Sequence, residues 1–185
     1  MAGKTLHPNE RKLRELLLYV SQKCAFDPAF GAAKLSKILF CSDFFAFART
    51  GAAITGVEYV RTRNGPAPRA LESVRDRMIQ ERILGLQEVV LKSGKVQTRT
   101  VSLRQPGLGI FTGGEIAMVD YVIDALSDNG SQTESGLSRW MVGWQAAREG
   151  ETIPYTTVFL SNEPLSEAEI FRGLEIAAQI KRTAA

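Results

Sequence analysis

Histidine is nearly missing from this chain of 185 residues; the one imidazole is His7, beside Pro8. A nucleophile activated by histidine, a histidine-rich metal site and a two-histidine acid–base pair are therefore excluded by inventory. Cysteine is almost as scarce. Cys24 and Cys41 are the only two, too few for a four-cysteine zinc site, and neither stands beside a histidine that would activate its thiolate. Both fall on helical patterns and read as small buried apolar groups in a reducing, cytoplasmic setting. Long hydrophobic runs are lacking too. The LLLYV stretch near the start is short and is flanked by Arg11, Lys12, Arg14 and Lys23, which fits neither a secretory signal nor a membrane span. There is no internal repeat and no low-complexity tract. No metal and no organic cofactor is expected.

What is present is a hydrophobic content of 44% in a chain long enough for one well-buried core. A single domain over residues 1–185 is expected, its core spanning about 10–160 and a last helix covering 166–182. The formal charge of +3 hides an asymmetry: residues 1–104 carry 18 Lys/Arg against 9 Asp/Glu, and residues 105–185 carry 5 against 11, so +9 and −6 sum to +3. Such polarity can steer a charged partner to one side of a molecule, although solvated surface helices give the same statistics.

Helical spacing dominates the pattern. Asn9 and Glu10 open a helix with Leu13, Leu16, Leu17, Val20 and Cys24 on one face, closed by Asp27-Pro28. The stretch from Ala32 to Thr50 is apolar nearly all round, which predicts a central helix, and Gly51 supplies a left-handed stop. Residues 57–63 are rich in strand formers, and Asn64-Gly65-Pro66-Ala67-Pro68 cannot continue a central strand, so a turn follows, with Pro68 in the first turn of a third helix. A hairpin is expected from Gln87–Leu91 and Lys95–Leu103 around Lys92-Ser93-Gly94. Thr112 with Glu115 and Ser166 with Glu169 have the reciprocal capping spacing that starts a helix. A helix over 134–148 is expected to carry Trp140 and Trp144 on one face, and Tyr155–Leu160 reads as another strand. The fold class expected is α+β: helix-dominated around a small antiparallel sheet.

Lys34 to Pro68 is the most informative stretch. Lys34-Leu35, Phe40 and Asp43 in the aromatic helix, Gly51, Ile54-Thr55-Gly56 with Tyr59, and Gly65-Pro66 follow in an order that resembles the Panacea domain of SocA-like antitoxins, a group that includes phage-associated GepA-like proteins. The resemblance runs over about residues 10–160. The family tends to carry a Ser/Thr-His pair followed by a tryptophan. Ser138, Arg139 and Trp144 match it here, so the histidine is replaced by Arg139 and no imidazole role carries over.

The resemblance implies a non-enzymatic antitoxin that binds a cognate toxin directly, and for SocA-type members it also implies delivery of that toxin to a cytoplasmic protease. Tyr59, Arg61, Arg63, Asn64, Trp140 and Trp144 are the candidate partner-binding residues, because aromatic and arginine side chains supply most interface affinity; for the tryptophans, core packing is the rival reading. The basic segment 61–104 supports an alternative, a nucleic-acid-binding regulator, although Glu72, Asp76, Glu81 and Glu88 are interleaved with it. A small hydrolase is the third reading. Asp43 is expected to accept hydrogen bonds from a neighbouring loop, since an ionised group inside an aromatic helix needs a partner. Asp120, Asp124 and Asp128 share a helix face and can present carboxylates to a cation or a basic partner, or simply face water. Gly107-Leu108-Gly109 and Thr112-Gly113-Gly114-Glu115 read as capping, because Glu115 puts negative charge where a phosphate would sit.

Overall fold

The computed structural model describes residues 8–91, 93–127, 142–160 and 166–183. The first helix, α1 (Glu10–Lys23), starts where the Asn9 side chain accepts the Lys12 amide, and its inner face buries Leu13, Leu16, Leu17 and Val20. The second, α2 (Ala32–Thr50), is buried on nearly every side from Leu35 to Ala46, which is why its sequence shows no polar face. It ends at Gly51, whose φ of 73° is the left-handed conformation that a side chain penalises.

Two small antiparallel sheets lie against these helices, giving the helix-dominated α+β class expected. In the first, β1 (Tyr59–Thr62) pairs with β2 (Gly65–Pro68) across a turn at Arg63 and Asn64. Pro66 and Pro68 thus lie in a strand. Pro68 pairs with Tyr59 and does not open the next helix, α3 (Leu71–Gln80), as the sequence suggested. The prolines are tolerated because β2 is the edge: the other side of β1 bonds to the chain around Gly150–Ile153, through Arg61 N to Glu151 O (2.9 Å), Gly150 N to Arg61 O (2.8 Å) and Ile153 N to Tyr59 O (2.8 Å).

The second sheet joins β3 (Leu84–Val90) to β4 (Val96–Ser102), in register from Leu84 opposite Ser102 to Val90 opposite Val96. The expected hairpin is there, with its first strand starting earlier than Gln87. Next comes α4 (Gly113–Ala125), which carries the full capping box between Thr112 and Glu115 and buries Val119 and Val122. Within the expected 134–148 helix, residues 142–148 are described, and α5 (Val142–Ala146) is the helical part of them. Tyr155–Phe159 is a 3-10 turn and not a strand; it starts after Pro154, and packing of Tyr155 against α2 overrides the β propensity of its neighbours. The last helix, α6 (Glu167–Thr183), opens with the expected Ser166–Glu169 pair. No helix among the described residues is long and apolar enough to cross a membrane.

Candidate functional site: the aromatic hub and the hairpin tip

Asp43 sits at the centre of the motif. Its carboxylate is fully buried inside α2 and accepts hydrogen bonds from the Thr55 amide (2.7 Å), the Thr55 hydroxyl and the Tyr59 hydroxyl (2.8 Å). Tyr155 lies near the same oxygen at 3.5 Å and donates to the Val57 carbonyl at 2.7 Å. Burial raises the Asp43 pKa above its ordinary value, and the hydrogen bonds from Thr55 and Tyr59 oppose that shift. The expected structural role of Asp43 is therefore what the geometry displays: it ties the Ile54-Thr55-Gly56 loop and β1 to α2.

Aromatic rings close around this carboxylate. Phe40 and Phe44 have centroids 3.9 Å apart, Tyr59 meets both edge-on at 5.4 and 5.6 Å, and Tyr155 stacks on Phe44 at 4.6 Å. Tyr59 was a candidate for partner contact, but it has no exposed surface, and burial drives its hydroxyl pKa well up. Its role is internal. Tyr155 is the hub residue that the sequence reading missed; the signal available was its position after Pro154, a natural stop for a strand.

Arg61 is also turned inward. Its guanidinium donates to the carbonyls of Ala147 and Gln145 (3.2 Å), at the end of α5, and lies over the Trp144 ring. A cation there complements the negative end of a helix. Trp144 is half-buried and donates from Nε1 to the Thr62 carbonyl at 3.3 Å. These contacts fix the hairpin whose tip exposes Arg63 and Asn64. Ser138, Arg139 and Trp140 lie outside the described residues.

Beside the tip, α2, β2 and α3 enclose a groove of about 430 Å³, bordered by Ser36, Pro66, Ala67, Arg69 and Arg75. Among the described residues, most arginines of the basic segment 61–104 are already engaged. Arg69 pairs with Glu58 (2.9 Å), Arg75 with Asp76 (3.1 Å), Arg77 with Glu10 (2.6 Å) and Arg104 with Glu15 (2.5 Å), while Arg99 donates to the Pro28 carbonyl (2.7 Å). Phosphate recognition needs such cations free and facing one way.

Asp120 accepts from the Tyr19 hydroxyl (2.7 Å) and pairs with Lys23 (3.2 Å), and Asp128 lies outside the described residues. Among the described residues, no group of three or more His, Cys, Asp and Glu side chains is placed to hold a metal. Both cysteines are free and buried, and burial pushes the thiols up to about 11 for Cys24 and about 12 for Cys41.

The profile of the antitoxin SocA-like, Panacea-domain family matches residues 35–145. The chain belongs to this family. The matched segment begins at Leu35 on α2 and takes in Asp43, the Ile54-Thr55-Gly56 loop, the β1–β2 hairpin and Trp144, so the Panacea domain of this chain includes most of the hub and the whole hairpin. No curated protein and no solved structure matches the chain.

Proposed function

We propose that this Panacea-domain protein is the antitoxin of a toxin–antitoxin pair, acting in the cytoplasm by direct binding of a cognate toxin and not by catalysis. Family membership carries the reading. The geometry supports a binding role, since Asp43, the carboxylate whose pKa burial raises, is sealed in the core where no substrate reaches it.

The toxin docks at the hairpin tip. Arg63 and Asn64 are exposed there on a turn that Arg61, Trp144 and Thr62 hold rigid, and the neighbouring groove accepts a protruding side chain of the toxin. A pre-ordered tip loses little conformational entropy on binding, which favours tight neutralisation. Handing the bound toxin to a cytoplasmic protease is the second part of this proposal, as the SocA-like family implies.

The test is co-expression with the product of the adjacent open reading frame. That product is expected to arrest growth alone and to be harmless with this chain; an adjacent product without toxicity, or one that this chain does not rescue, would overturn the reading. Rescue is expected to fail for Arg63→Glu/Asn64→Arg with an unchanged circular dichroism spectrum. Full rescue by that variant would place the toxin on another face. The toxin's half-life with and without this chain reports on the protease step.

A further inference from the structure

Two apolar surfaces of the chain face solvent and do not meet each other. One is the stripe of α6, where Ile170, Phe171, Leu174, Ala177 and Ala178 share a face at helical spacing; Phe171 and Leu174 are 64% and 66% exposed. The other is a groove of about 710 Å³ between the end of α2 and the first half of α4, lined by Ala46, Ala53, Ala117, Met118 and Tyr121, with Arg49 at its rim. Its alanine walls let a helix backbone approach closely, and Met118 adapts to the side chains that enter.

We infer that the groove receives α6 from a second copy of this chain, so that two copies exchange their last helices reciprocally. Charge favours this occupant. The salt bridges among the described residues include none to Arg49, the other charged lining residue, Glu115, is already paired with Lys12 (2.6 Å), and α6 carries Glu167 at the start of its apolar stripe and Glu175 beside it. Symmetry is compatible with it: reciprocal exchange closes a two-fold dimer and leaves neither stripe nor groove to propagate, whereas one-way docking would run on into rings or filaments. A stable interface needs roughly 800 Å² from each partner. Reciprocal exchange has each copy supply one stripe and one groove, so two equivalent contacts share that requirement. The chain's own α6 leaves its stripe in solvent while its own groove stands open. This inference does not rest on the antitoxin reading.

Sedimentation equilibrium of the full chain, over a range of concentrations and without toxin, tests it. The expected mass is twice the 20.3 kDa of one chain. Leu174→Asp, on the exposed stripe, and Ala117→Glu, on the exposed groove wall, are each expected to shift the species to monomer with an unchanged circular dichroism spectrum at low temperature. Arg49→Glu is expected to weaken association at least tenfold, and more at low salt than at high salt. A wild-type monomer at every concentration overturns the inference, whether α6 is then free or folded onto its own groove. So does a dimer that both Leu174→Asp and Ala117→Glu leave intact.

Discussion

The guanidinium carbon of Arg61 lies 5.1 Å from the ring centroid of Trp144, while the same group donates to the Ala147 and Gln145 carbonyls. Arg61 and Arg63 stand two residues apart on one strand and turn, yet they do different work: Arg61 closes α5 onto the hairpin and Arg63 faces solvent. Reversing both charges at once therefore does not leave the fold untouched.

The two substitutions separate in stability. Arg61→Glu removes charge-assisted hydrogen bonds and a cation–π contact and sets a carboxylate against carbonyls, which is expected to cost about 2–3 kcal/mol. Arg63→Glu is expected to stay within about 0.5 kcal/mol of the wild type, as exposed positions do. Urea unfolding of the two single variants checks this, and equal midpoints would remove the clamp role from Arg61.

Glu15 gives the fold a dependence on acid. Its carboxylate accepts from Arg104 at 2.8 and 2.5 Å and from the Gly107 amide at 2.7 Å, and the hydrogen bond from Arg104 is the main cause holding its pKa below the ordinary carboxylate value. A depressed folded-state pKa contributes stability that is present above the unfolded value and lost as pH falls through the folded one. Glu15→Gln is expected to be less stable than wild type near neutrality by about 1–3 kcal/mol. That difference is expected to shrink as pH drops through and below the usual carboxylate range. Melting midpoints of both proteins across that range check it; a constant difference would assign the loss to packing.

Close packing at Gly143 permits a sharper test of how α5 sits on the Tyr155 turn. A Cβ at Gly143 would lie 2.1 Å from Thr157 Oγ1, 2.6 Å from Thr157 Cβ and 3.0 Å from Ile153 Cγ2. Overpacking of this kind typically costs about 1–3 kcal/mol. Gly143→Ala is therefore expected to lower the melting midpoint, and adding Thr157→Gly is expected to recover part of the loss. Additive effects of the two changes would show that they do not share a contact.

Features that depend on neighbours in the chain were the legible ones. α2 was readable because a helix apolar on all sides has one place to go, and Gly51, Thr112–Glu115 and Ser166–Glu169 are punctuation set by local backbone geometry. Contacts between distant residues were not readable. Arg61 meets Gln145 and Ala147 from 84 and 86 positions away, and Tyr59 stood among the partner-binding candidates only because aromatic side chains supply interface affinity. Phe40 and Phe44 cover that end of the strand and make Tyr59 core. Tyr155–Leu160 misled for the same reason: its composition favours a strand, while the extended segment that pairs with β1 lies at Glu151–Ile153.

The Asp43 hub combines burial with a titratable group, and its pH signature has the opposite sign to that of Glu15. Burial raises the folded-state pKa of Asp43 above its ordinary value, so this group's contribution is fully present below the unfolded pKa and declines as pH rises through the folded one. Asp43→Ala strands the Thr55 amide and the hydroxyls of Thr55 and Tyr59 in the core and is expected to cost about 3–5 kcal/mol. Tyr59→Phe removes one donor and is expected to cost about 1–3 kcal/mol. Because both changes break the same hydrogen bond, the double variant Tyr59→Phe/Asp43→Ala is expected to lose less than the sum. Asp43→Asn cannot ionise, so the loss of stability that wild type suffers with rising pH from this group is expected to vanish in it. Urea midpoints of wild type and Asp43→Asn measured upward from acid pH decide the matter: parallel curves would mean that Asp43 titrates alike in the folded and unfolded chain, its burial cancelled by the Thr55 and Tyr59 donors.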